Sequence, residues 1–207
     1  MIDGWAKSPV DPMNVLAVFD SISLKPGFIL RAYQFTAGDN GNGIVWAMPS
    51  DTPFPEPEDC PRLTDQFLEP PHPPQALDNF MQVVTGDSSA WSYLSASLLA
   101  RELQEFGAMW HGCHWDTHTI LGKNPWDKPK SRTIDSPIEA WKWDGPLPVV
   151  WKPEMTESDG QKVVSFLTHS GLEQEVIVCH TDVYDGDSYR MKSSEEILAV
   201  GPMGYIH

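Results

Sequence analysis

Nine of the chain's nineteen prolines fall between Pro49 and Pro74, where neither a helix nor a strand ladder can run far. Each proline lacks the backbone N–H that both structures need and holds φ at about −65°. The runs Pro53-Phe-Pro-Glu-Pro57 and Pro70-Pro-His-Pro-Pro74 predict extended backbone of the polyproline II kind. Residues 49–74 therefore read as a connector lying over the surface, with different structure on either side. A ligand for an aromatic groove is the functional alternative. Such grooves usually also want a basic residue near the prolines, and the first cluster here is acidic.

Before the connector the pattern is β. Phe28–Phe35 alternates, Asp39-Asn-Gly-Asn-Gly43 tolerates positive φ, and Ile44–Met48 returns, which predicts a hairpin over 28–48. After it, Leu77, Phe80, Met81 and Val84 recur at helical spacing, and Trp91, Leu94, Leu98, Leu99, Leu103 and Phe106 continue the stripe. With Gly86 between them and Asp87 or Ser88 as cap, 75–106 predicts a helical hairpin. Beyond Met109 the expected strands are Trp110–Leu121, Ala140–Trp143, Val149–Trp151, Lys162–His169, Glu175–Tyr184, Ser188–Lys192 and Ile197–Val200. Ser170-Gly-Leu172 and Asp185-Gly186 supply tight turns. The expected fold is α+β: an N-terminal β-hairpin, the connector, the helical hairpin, then a C-terminal antiparallel sheet or small SH3-like barrel. Residues 1–125 and 135–207 form its two regions, or one continuous domain.

The net charge of −15, from 14 basic against 29 acidic residues, limits the partners. Neutralising a nucleic acid backbone takes clustered lysines and arginines, and none cluster here. An anionic membrane surface is disfavoured for the same reason. A basic protein or a metal cation is the natural counterpart. Cys60, Cys113 and Cys179 form no disulfide framework and no CxxC knuckle. They fit a reducing cytoplasm, and neither a signal peptide nor a membrane span is visible. Six of the nine tryptophans lie between Trp110 and Trp151, where their rings should carry the packing.

The densest chemistry is His111-Gly-Cys-His-Trp-Asp-Thr-His118. As a strand, it would point His114, Asp116 and His118 to one face. Imidazoles with a carboxylate suit zinc or ferrous iron, with His111 and His180 as reserve ligands. The ordinary alternative is a set of partly buried histidines hydrogen-bonded to carboxylates. The spacing His114-Trp-Asp116 with His180 downstream resembles the H-x-D…H triad of iron- and 2-oxoglutarate-dependent oxygenases. The resemblance implies iron ligands at His114, Asp116 and His180, and an Arg190 contact to the 2-oxoglutarate carboxylate. It covers four residues, and the chain has too few strands between His118 and His180 for that family's double-stranded helix.

Asp182, Asp185 and Asp187 concentrate charge at a hairpin tip, which suits calcium or a lysine-rich partner, or simply solvent. Cys113 beside His111 or His114 has the elements of a nucleophile but not the long-range partners that build one. No complete catalytic motif is present. The sequence favours a non-catalytic interaction or regulatory protein, with a metal-binding protein or metal-dependent enzyme built on 111–118 as the alternative.

Overall fold

The computed structural model describes residues 4–109, 113–127 and 134–205. The chain divides into two compact units, Met1–Trp115 with Ser188–Arg190, and Asp116–Asp187 with Met191–His207. Strand outweighs helix among the described residues, so the α+β class holds with β predominant. No helix among them is long and apolar enough to cross a membrane.

In the first unit, β1 (Gly4–Lys7), β3 (Phe28–Ala37) and β4 (Asn40–Pro49) form an antiparallel sheet. A four-residue helix α1 (Met13–Leu16) and strand β2 (Ile22–Leu24) lie between β1 and β3. The expected hairpin is present, but its turn is only Gly38-Asp39, with Ala37 facing Asn40 and Gly38 at φ +57°. Gly41 and Gly43 are strand residues, not loop residues. They leave room for the backbone after the second helix: a Cβ on Gly43 would strike the Phe106 carbonyl, and Met109 N donates to Gly41 O at 3.1 Å. Leu30 and Ala32 on one face of β3 and Tyr33 on the other are all buried, so both faces are covered.

The connector is packed rather than draped. Pro57, Cys60, Pro70, Pro71 and Pro73 are buried, Phe54 stacks on Tyr33 at 4.5 Å, and Trp46 Nε1 donates to Pro71 O at 3.0 Å. Prolines offer carbonyls without donors, and the Trp46 indole N–H finds an acceptor there.

The first helix of the expected pair does not form. Gln75 has φ +64°, Phe80–Val83 makes one 3-10 turn, and Val84–Gly86 is strand β5, paired with β2. Leu77 N donates to Ala47 O at 2.9 Å, and Val84 faces Leu24. Long-range pairing thus captured a segment whose spacing alone is helical. The second helix, α2 (Ala90–Gln104), does form. Ser89 is its N-cap, with Oγ accepting from Ser92 N at 3.1 Å. Its buried stripe is Tyr93, Ala96, Leu99, Ala100 and Leu103, while Trp91 is 58% exposed on the opposite side. Tyr189 belongs to this unit, stacked on Tyr93 at 4.7 Å with its hydroxyl 2.7 Å from Ser92 Oγ.

The second unit is one antiparallel sheet of β6 (His118–Leu121), β7 (Lys142–Trp143), β8 (Glu154–Ser158), β9 (Gln161–Ser170), β10 (Gln174–Asp185) and β11 (Met191–Met203). The order is β6-β9-β10-β11-β7, with β8 also on β9. Among the described residues β6 and β7 do not pair, so the sheet is open and no SH3-like barrel closes. Val149–Trp151 is not a strand, and Val149 is 96% exposed. The two short strands expected near the end are one, broken by a bulge: Ile177 faces Ala199 and Val178 faces Ile197, with Leu198 extra. On one face Leu121, Leu167, Ile177 and Ala199 pack with Ile134, Trp141 and Trp151. Trp126 and Trp143 join edge-on, and Trp126 Nε1 donates to Ser136 O at 2.9 Å.

Candidate functional site: a histidine relay and an acidic cavity

The segment 113–118 does not align its side chains. Trp115–Thr117 is a 3-10 turn, and a strand begins only at His118. In the first unit, the carboxylate of Glu105 collects the backbone N–H groups of His114 (3.0 Å) and Trp115 (2.6 Å). Trp115 Nε1 donates to Glu102 at 2.9 Å, and the Arg101 guanidinium lies 5.6 Å from the Trp115 ring. These bonds fold the chain back on the end of α2 in place of the extended backbone that alternation required. His111 lies outside the described residues. Arg190 is exposed and belongs to the first unit, and its N–H donates to Ser188 Oγ at 3.0 Å. Among the described residues, no three His, Cys, Asp or Glu side chains gather as metal ligands.

His118 and His180 do come together, both in the second unit, with ring centroids 5.7 Å apart. Thr168 bridges them: its Oγ1 lies 2.7 Å from His118 Nδ1 and 2.8 Å from His180 Nε2. His180 Nδ1 lies 2.9 Å from Glu195 Oε1, and Phe166 stacks on the same imidazole at 4.8 Å. The β9–β10–β11 register aligns Phe166, His180 and Glu195 in a row across the sheet. An ionised Glu195 only accepts, so His180 Nδ1 donates to it. With His180 neutral, its Nε2 accepts from the Thr168 hydroxyl, which in turn accepts from His118 Nδ1–H. Both ring nitrogens of His180 are thereby committed, which leaves none for the iron that the H-x-D…H spacing implied. Thr168 is 0% and His180 1% exposed, so the hydroxyl is a buried link and not an accessible nucleophile.

A second feature of this unit is a cavity of about 600 Å3. Three carboxylates line it: Asp116 from the 3-10 turn, Asp135, and Glu175 at the start of β10. His169, Thr117, Thr119 and Tyr205 add to its polar lining. Close backbone packing holds the Tyr205 wall in place. Tyr205 N donates to Gly171 O at 2.9 Å, Glu173 N to Tyr205 O at 2.7 Å and Gly204 N to Glu173 O at 2.9 Å. A side chain on Gly204 would strike the Gly171 carbonyl, so glycine is required at that crossing.

Glu175 is fixed by Ser136 Oγ at 3.0 Å, which itself accepts from Trp141 Nε1 at 2.9 Å. His169 Nε2 stands 3.8 Å from Glu175 Oε2, beyond hydrogen-bond reach, and is buried without a hydrogen-bond partner among the described residues. Burial lowers the His169 pKa, and the Glu175 charge opposes that only in part. The imidazole is therefore neutral at pH 7, and the contact is not an ion pair there. No lysine or arginine stands among the described lining residues. The site can attract and orient a positive group.

The carboxylates of the hairpin tip are otherwise engaged. Asp182 is buried in β10, and Lys162 Nζ donates to Asp187 Oδ1 at 3.0 Å and to Gly186 O at 2.9 Å. Sequence reading named His118, His180 and Asp116 but missed Thr168, Glu195, Glu175 and Asp135, whose roles depend on strand register and on the fold of a loop. No family model, curated protein or solved structure matches this chain.

Proposed function

We propose that this is a non-catalytic interaction protein whose second unit receives the cationic side chain of a basic partner in the acidic cavity. The observation that carries the reading is a concave site with three carboxylates and no basic residue among its described lining residues, in a chain of net charge −15. A lysine or arginine entering there meets Asp116 and Asp135 near the mouth and the anchored Glu175 deeper in, with the Tyr205 ring as a cation–π surface. Long-range attraction speeds the encounter, and the cavity supplies selectivity. Such a partner is a protein and not a nucleic acid. A reducing cytoplasm suits the three unbridged cysteines.

The test is titration of short peptides carrying lysine or arginine, followed by amide chemical shifts. Shifts are expected at Thr119, Gly171 and Tyr205, weakening with salt and in Glu175→Gln and Asp135→Asn. Equal binding by a peptide with norleucine in place of lysine removes the electrostatic basis. So does an absence of shifts at millimolar peptide.

A further inference from the structure

The outer edge of β11 is open over half its length. β7 covers it only at Ala199 and Val200, with Asp144 N donating to Leu198 O at 2.9 Å just beyond. From Met191 to Ile197, no described residue pairs with that side of the strand. Lys192 through Ile197 are all exposed, Ile197 at 53%. Such an edge is a template for one more strand. We infer that its occupant is the same edge of a second copy, paired antiparallel about a two-fold axis at Ser194.

Ladder geometry restricts the choice. In an antiparallel pair, facing residues either both turn their N–H and C=O toward the partner or both turn them away. Along a strand that direction alternates. Two copies of one edge can therefore bring face to face only residues whose numbers differ by an even amount. Centring on Ser194 sets Lys192 against Glu196 twice, Met191 against Ile197 twice, and Ser193 against Glu195. Centring on Glu195 sets that carboxylate against itself, which is destabilising. Centring on Ser193 sets Lys192 against Ser194 and forms no Lys192–Glu196 pair. The Ser194 register alone matches charge with charge and apolar with apolar.

Neither Lys192 nor Glu196 forms an ion pair within the described chain, so both are available to a second copy. The charges that deter indiscriminate edge pairing become attractive only in this self-complementary arrangement. Another open strand of this unit, β8, carries Glu154 and Glu157 and no cation, and so lacks such a pair. This inference is independent of the cavity.

The test is sedimentation velocity of the full chain over a wide concentration range. About 0.15 M salt screens long-range repulsion beyond about 8 Å. The mass is expected to rise toward twice that of the monomer. Lys192→Glu and Glu196→Lys, each checked for native circular dichroism, are expected to stay monomeric alone. Mixed together they recover the dimer, because the new glutamate of one chain then faces the new lysine of the other, and the native pair is kept beside it. The double variant also recovers it. A wild-type chain that stays monomeric at the highest concentration, a single variant that associates like the wild type, or a mixture that stays monomeric overturns the inference.

Discussion

Thr168 Oγ1 lies 2.8 Å from His180 Nε2, and the same hydroxyl meets His118 Nδ1 at 2.7 Å, so one hydroxyl serves two imidazoles. The tautomers of the two rings are thereby tied to each other and to Glu195. Thr168→Val keeps the shape and removes the link, leaving polar nitrogens facing a methyl group. The expected loss is about 1–3 kcal/mol, read as a drop in the denaturant midpoint with unchanged slope. Thr168→Ser should retain most of the stability, and equal losses in the two variants would assign the effect to packing.

His169 makes the cavity sensitive to acid. Its pKa is lowered by burial, so on acidification the unfolded chain takes up a proton before the folded one does. The stability tied to the neutral ring is full above about pH 6.5 and declines as pH falls through the lower folded value. Nuclear magnetic resonance titration of the His169 ring should give a midpoint below that of an unperturbed imidazole. Peptide affinity should fall over the same range, since the new charge repels the incoming cation. A midpoint at or above the ordinary value counts against both.

Tyr33 sets a limit at the alkaline end. Burial and the Cys60 thiol beside it, 3.2 Å from the hydroxyl, push its pKa up, and its hydroxyl donates to Pro55 O at 2.9 Å. The neutral phenol is favoured in the fold, so its contribution is complete below about pH 10 and lost as pH rises further. Tyr33→Phe should cost about 1 kcal/mol at neutral pH, and alkaline unfolding should shift to higher pH. Spectrophotometric titration of the phenolate against circular dichroism checks it: Tyr33 should ionise only as the first unit unfolds.

Gly43→Ala tests the approach of the chain after α2 to the hairpin. The new methyl meets the Phe106 carbonyl, a backbone group that cannot rotate away. A loss of about 1–3 kcal/mol is expected on thermal unfolding. Gly122→Ala meets nothing within 4 Å and should be neutral within about 0.5 kcal/mol.

The elements legible in the sequence are those whose pattern is long and local. α2 carries its period over four turns, and β9 and β10 alternate between glycine-marked turns. Gln75–Val84 carries a helical period too, yet Leu77 and Val84 spend their backbone groups on β4 and β2. β8 escaped notice because Glu154, Thr156, Glu157 and Ser158 leave an edge strand with little apolar signal. For the site, residue type sufficed to single out His118 and His180. Their link through Thr168 is a property of register, which no local pattern carries.

The extra residue at Leu198 acts as a phase setter for everything that follows toward Met191. Were Leu198 instead paired opposite Val178 in regular register, Glu196 and not Glu195 would face His180. Lys192 and Glu196 would exchange sides with Ser193 and Glu195, and the imidazole would answer to a different acid. Straightening that bulge, with Leu198 kept and paired, would thus rewire the proton chain on one surface of the sheet and recode the charge sequence presented along its rim, with no change to either histidine.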